Sequence, residues 1–120
     1  MTGAAVGGVN IAMKVPAHQY EAVVAFYRDV LKLPELEGGS DVSFAYGPNR
    51  LWIDNVPQMS QAELWLELVT PSFDDAAASL EAAGVTRNDG IEPLPNSETF
   101  RGGWFFNPAG IVHLLKQTRT

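Results

Sequence analysis

The chain has 120 residues, 46% of them apolar and 18% charged, which is the composition of one ordinary globular domain with enough length for a real core. A net charge of −6 and only eight, scattered basic residues argue against nucleic acid as a partner, no apolar run reaches membrane-spanning length, and the absence of cysteine removes disulfide and thiol chemistry. The opening MTGAAVGG lacks the features of a signal peptide, so the expected setting is cytoplasmic.

Residues 1–8 are rich in Gly and Ala and read as a frayed end. The chain then alternates. Val9, Ile11, Met13 and Val15 are apolar while Asn10, Ala12 and Lys14 are small or polar, the period of two that marks a strand with one buried face. Pro16 ends this strand because it offers no ladder N–H. Tyr20, Val23, Val24, Tyr27, Val30 and Leu31 recur at three and four, which predicts an amphipathic helix with Phe26 and Tyr27 in the core. Pro34 stops it by biasing Leu33 away from helical angles. Residues 41–46 (DVSFAY) and 50–54 (RLWID) flank the turn signal GPN and predict a hairpin.

Residues 55–61 read as a linker, and 62–69 as the next strand. Ser72 is placed to cap a second helix, with Asp75 completing an approximate capping box. That helix, with Phe73 in the core, runs to about Ala83, and Gly84 supplies the left-handed residue after it. Residues 87–98 read as a loop beside a short edge strand. Residues 99–106 (TFRGGWFF) predict a strand whose Gly pair permits a bulge or a close approach. NPAG is a turn, and 111–117 (IVHLLKQ) is the last strand.

The two halves share one pattern. An offset of 53 residues, which carries Asn10 onto Glu63 and Tyr20 onto Phe73, also lays Ile11, Met13 and Val15 on Leu64, Leu66 and Leu68 without a gap. Each half reads as strand, helix, then two or three strands joined by hairpins. This predicts an α+β fold of two tandem βαβββ modules, at approximately residues 8–56 and 61–117 of a single domain, with both helices on one face of the sheets.

A strand followed by AFYRDVLKL at 25–33, a hairpin, a second strand and helix ending in AAGV, and NPAG at 107–110 before an apolar strand together resemble the glyoxalase / bleomycin-resistance / extradiol-dioxygenase superfamily, the vicinal oxygen chelate proteins. The resemblance implies paired βαβββ modules forming a cup-shaped, half-barrel sheet with helices on the outer face, completed in a homodimer. It also implies a divalent metal in the cup, held from the first and last strands of each module. The matching positions here are Asn10, Asp54, Glu63 and Leu114. They include no His, and Leu114 cannot ligate. Imidazoles or several carboxylates are what a transition metal needs, so no cofactor is expected. Weak binding of a divalent metal through Asp54 and Glu63 is the remaining alternative.

Other residues carry two readings each. Glu63, Trp65 and Glu67 share the strand face opposite Leu64, Leu66 and Leu68. Glu67 is either an ion-pair partner of Lys14 or, with Glu63, a general base. Trp52, Trp65, Trp104 and Phe106 are expected to touch a ligand, with Tyr46 and Phe44 as further aromatics on the opposite face, or else to serve the core or a dimer interface. His113 points with Ile111 and Leu115 towards the helices, unless a one-residue slip turns it to the ligand-bearing face. Arg50 and Arg101 are candidate anchors for an acidic ligand. The expected function is metal-independent binding of a small, partly aromatic or apolar molecule in the cup. The alternative is a lyase, isomerase or dioxygenase with a remodelled metal site, and a third reading gives the aromatic face to dimerisation alone.

Overall fold

The computed structural model describes residues 5–118. In chain order the elements are β1 (Val6–Gly7), β2 (Asn10–Val15), α1 (Ala17–Ala25), β3 (Glu35–Leu36), β4 (Val42–Tyr46), β5 (Asn49–Asn55), β6 (Glu63–Thr70), α2 (Phe73–Ala82), β7 (Thr86–Arg87), β8 (Gly102–Phe106) and β9 (Val112–Gln117). The architecture is α+β, and the sequence β2-α1-β3-β4-β5 followed by β6-α2-β7-β8-β9 gives two βαβββ modules. The chain folds as two compact units, Val9–Trp65 and the remainder from Leu66 onward together with the residues up to Gly8.

In the first unit the strand order is β3-β4-β5-β2, with the opening residues of β6 next to β2. β2 and β5 are parallel, from Asn10↔Arg50 to Val15↔Asn55. β4 and β5 form the predicted hairpin, closed by Gly47 at φ +60°. Alternation along these strands decides the two faces. Val15, Phe44, Leu51 and Ile53 turn to one side and pack with Val24, Tyr20 and Tyr27 of the helical segment. Val15, Phe44 and Ile53 are fully buried, each contributing about 1.5–3 kcal/mol of apolar transfer, and Ile53→Ala would cost about 2–5 kcal/mol. The opposite face carries Asn10, Ala12, Lys14, Arg50, Trp52, Asp54 and Trp65.

In the second unit β6, β9, β8 and β7 follow one another, and β1 pairs with β6. β6 and β9 are parallel, from Leu66↔His113 to Thr70↔Gln117. Phe105 and Leu115 lie under Phe73, Ala76 and Ala77 of α2. Asn107 builds the β8–β9 turn, its Oδ1 accepting the N–H groups of Ala109 and Ile111, both at 2.9 Å.

Several local expectations are corrected. The segment expected to fray includes β1, whose Val6 and Gly7 pair with Val69 and Leu68; residues 1–4 lie outside the described ones. The first helix does not run on as one α-helix. Residues Phe26–Val30 form a π-helical turn, with the Leu31 N–H bonded to Phe26 O, and Lys32 follows at φ +58°. The extra residue in that turn rotates later positions about 100° around the axis. Val30 and Leu31 are therefore 68% and 47% exposed, and Phe26, expected in the core, is 46% exposed. Ser72 makes no side-chain cap. Gln117 Oε1 takes the Phe73 N–H at 2.9 Å instead, and Thr70 Oγ1 takes that of Ser72. β8 starts at Gly102 rather than 99, because Ser97 and Thr99 form a hydroxyl-bonded turn first. The Gly pair serves close approach: a Cβ on Gly102 would meet Leu115 O at 2.9 Å.

Candidate functional site

The face of the first unit that points away from α1 gathers the polar and aromatic residues of β2, β5 and β6. The parallel register of β2 and β5 puts Asn10, Ala12 and Lys14 beside Arg50, Trp52 and Asp54. The antiparallel register on the other side puts Glu63 beside Lys14 and Trp65 beside Ala12. Lys14 thus stands on the middle strand between Asp54 and Glu63. Its Nζ donates to Asp54 Oδ2 at 2.8 Å and lies 4.4 Å from the centre of the Trp65 ring, with the lysine only 5% exposed. A buried ammonium is held only where partners replace its water, and here a carboxylate and an indole face do so.

The aromatic rings are tethered at their polar edges. Trp52 Nε1 donates to Asn10 Oδ1 at 2.8 Å, and Trp65 Nε1 to Glu63 Oε1 at 3.0 Å. Arg50 stacks on Trp52, 4.4 Å from the ring centre, while its guanidinium donates to Ser43 Oγ at 2.9 Å and to the Glu37 and Gly38 carbonyls at 2.6 and 2.9 Å. Arg50 is therefore spent on the β3–β4 loop, and Arg101 pairs with Asp74 at the start of α2. Gly39, at φ +83°, lies against the Trp52 ring; a Cβ there would be 2.7 Å from Trp52 Cη2.

In the second unit Glu67, Trp104, Leu114 and Lys116 share the face away from α2. Glu67 is buried and its Oε2 lies 2.9 Å from Lys116 Nζ. Trp104 is buried, with Nε1 donating to Glu92 O at 2.9 Å and its backbone N–H to Asp89 Oδ1 at 3.0 Å. Burial pushes the Asp89 carboxyl up, but the Arg87 guanidinium at 2.8 Å and the Trp104 N–H outweigh it, so it titrates below the ordinary aspartate range. Phe106 is half-buried at the end of β8, opposite Val112. His113 sits on the α2 side, in register with Leu66 and Phe105, and its Nδ1 is 3.0 Å from Ile111 O.

Of the positions named from the sequence, Asn10, Trp52, Asp54, Glu63 and Trp65 come together on one face of the first unit. Glu67 and Trp104 share the corresponding face of the second, while His113 turns to that unit's helix side. Sequence reasoning did not assign Lys14 the place between the two acids, nor Arg50 the stack on Trp52. The signal was present in the parity of residues 10, 12, 14 and 50, 52, 54, once β2 and β5 are set parallel.

No family model matches the chain, and no curated protein matches its sequence. Solved structures do match it. Methylmalonyl-CoA epimerase from Mycobacterium tuberculosis aligns over 100% of this chain and 93% of its own, with a TM-score of 0.64 at 12% identity. A glyoxalase/bleomycin resistance protein/dioxygenase superfamily member from Vibrio splendidus aligns over 90% and 97%, with a TM-score of 0.58 at 12% identity.

The chain has the glyoxalase/bleomycin resistance/dioxygenase fold.

The Mn(II)-bound glyoxalase from Novosphingobium aromaticivorans shares that fold over 97% of this chain, with a TM-score of 0.66 at 19% identity, though the chain spans only 40% of that longer protein. A metal implied by such a neighbour can be tested against the side chains present. Among the described residues no three His, Cys, Asp or Glu side chains cluster closely enough to hold an ion. Asn10 Oδ1 and Glu63 Oε1 already accept indole N–H groups. An ion bridging Asp54 and Glu63 would have to lie over the strand that carries Lys14, and a unit positive charge about 4 Å from the ammonium costs about 4 kcal/mol in a surface-like dielectric. Asp54 is thus engaged by Lys14 and Glu63 by Trp65, and an ion at these two carboxylates would have to compete with both contacts. Among the described residues no helix is long and apolar enough to cross a membrane.

Proposed function

We propose that this protein binds a small, partly aromatic or apolar molecule without a metal, on the sheet face that carries Trp52 and Trp65. The observation that supports this is the position of Lys14, whose buried ammonium pairs with Asp54 on the strand between those that carry Asp54 and Glu63, the two candidate metal ligands. The lysine neutralises Asp54 and covers the buried Trp65 ring, which leaves the half-buried Trp52 indole, its N–H edge already satisfied by Asn10, as the apolar surface of this face. Affinity would come from stacking and exclusion of water. Asn10 belongs to the same reading as a further contact, in a cytoplasmic homodimer; Trp104 is a candidate contact on the corresponding face of the second unit, while Phe106 lines a cavity on that unit's helix side. The acidic net charge favours a neutral or cationic ligand.

The test is a fluorescence titration of purified protein with a panel of small aromatic compounds, in chelator and then with added Mn(II), Ni(II) or Zn(II). Quenching that saturates equally in both conditions, and is lost in Trp52→Ala, is the expected result. A ligand that binds only when the metal is present, or a stoichiometric ion that survives dialysis, overturns it.

An enzyme reading is favoured by one feature, the exposed carboxylate of Glu63 beside Trp65. On that reading Glu63, with Glu67, would move a proton in a lyase or isomerase reaction, or the fold would carry a dioxygenase with a remodelled metal site. Turnover of any substrate that falls at least a hundredfold in Glu63→Gln, on the scale of general-base catalysis, would establish it.

A further inference from the structure

On the α2 side of the second unit the surface opens into a cavity of about 230 Å³. Its walls include Leu68, Leu80, Val85 and Phe105, with Asn107 and His113 as the polar side chains. This is the opposite side of the sheet from Glu67 and Trp104, and no tryptophan lines it. An enclosed cavity of about 150 Å³ walled by Leu, Ile and Phe accepts benzene, and the space here, though open on one side, exceeds that volume. The space here leaves room for one ring with a substituent.

The two polar side chains differ in what they can still do. The Asn107 carbonyl oxygen already accepts two backbone N–H groups of the β8–β9 turn. His113 Nδ1 lies 3.0 Å from Ile111 O. A carbonyl oxygen only accepts, so this contact favours the tautomer with the ring hydrogen on Nδ1, and that tautomer presents an acceptor at Nε2. That nitrogen has no partner among the described residues. His113 is also the one titratable side chain in the lining, so the walls offer no countercharge to an ionised ligand. An apolar ring that carries one hydrogen-bond donor matches these features.

We propose that this cavity is a second binding site, taking a small neutral phenol whose ring packs among Leu68, Leu80, Val85 and Phe105 and whose hydroxyl donates to His113 Nε2. The site is independent of the ligand reading for the Trp52 face. It explains why a histidine occupies a strand position that faces a helix, where an aliphatic residue would otherwise serve.

The test uses p-cresol and toluene as probes, which differ only in the hydroxyl, and follows the methyl resonances of Leu68, Leu80 and Val85 by NMR. The expected result is saturable shifts of those methyls with p-cresol at a dissociation constant on the order of 0.1–1 mM, and about fivefold to tenfold weaker binding of toluene. In His113→Leu the two probes should bind alike, and in Leu80→Trp neither should bind. Should Leu80→Trp not fold, Val85→Phe provides the same block from another wall. Equal affinity of the wild type for the two probes, a preference that survives His113→Leu, or shifts confined to the Trp52 and Trp65 indoles would each overturn the proposal. Indole shifts report on the other face and leave the two readings separable.

Discussion

Lys14 Nζ is held 2.8 Å from Asp54 Oδ2 across the parallel β2–β5 pair, with the lysine side chain 6% exposed and the aspartate 18%. Removing the ammonium leaves a largely buried carboxylate without its main counter-charge. Lys14→Met, which keeps the length of the stem, should lower stability by about 1–3 kcal/mol in urea unfolding. Adding Asp54→Leu should recover part of that loss, because the pair is then replaced rather than broken. A double variant less stable than the sum of the singles would show that the pair is not the coupled unit described here.

The Trp52 ring rests on the loop before β4. Gly39→Ala places a methyl 2.7 Å from Trp52 Cη2 at a backbone angle of φ +83°. We expect a loss of about 1–3 kcal/mol together with a changed tryptophan emission. Gly47→Ala, at φ +60° with nothing within 4 Å, should cost about 1 kcal/mol and leave the emission as it was. Circular dichroism melts with parallel fluorescence spectra would separate the steric contribution from the conformational one.

The second helix is capped from a distance. Gln117→Ala removes the acceptor of the Phe73 N–H and should cost about 1 kcal/mol, the usual worth of a cap. Ser72→Ala, whose hydroxyl makes no cap bond, should stay within about 0.5 kcal/mol of wild type. The reverse ranking in thermal denaturation would restore Ser72 as the cap.

Asp89 sets an acid limb. Its folded carboxyl titrates below the unfolded one despite partial burial, because Arg87 and the Trp104 N–H stabilise the charge. The folded state therefore binds the proton less tightly. The resulting stabilisation is complete above the unfolded carboxyl's range, near pH 4, and is lost as pH falls through the folded value. Asp89→Asn should be less stable near neutrality and show a shallower fall in urea midpoint on acidification. An unchanged slope would remove Asp89 from the account.

Much of this was legible in the residues. Alternation at 9–15, 41–54 and 62–69 fixed which side chains share a face, and the 53-residue offset paired β2 with β6 and α1 with α2. The pairing partners of Lys14 were not legible, since parity says which face a residue takes but not which strand lies beside it. The π-turn at Phe26–Val30 was hidden for a related reason: its residues satisfy a 3.6 period as well as any helix, and the change shows only in the hydrogen bond from Leu31 to Phe26. The cap on α2 comes from a residue 44 positions away, beyond the reach of a local motif. His113 needed no slip. Its register with Leu66 and Phe105 keeps it on the helix side, where its neighbours are a cavity wall rather than the tryptophan face.

The parallel pairing of β2 with β5 also bears on how fast the first unit can assemble. Lys14 and Asp54 are 40 residues apart in sequence, so the ladder between their strands closes a loop that contains α1 and the first strand of the β4–β5 hairpin. Pairings of such separation slow folding relative to local ones. The hairpin, whose partners are sequence neighbours, is the natural nucleus. On a ribosome β2 could not complete its ladder with β5 until Asn55 had left the tunnel.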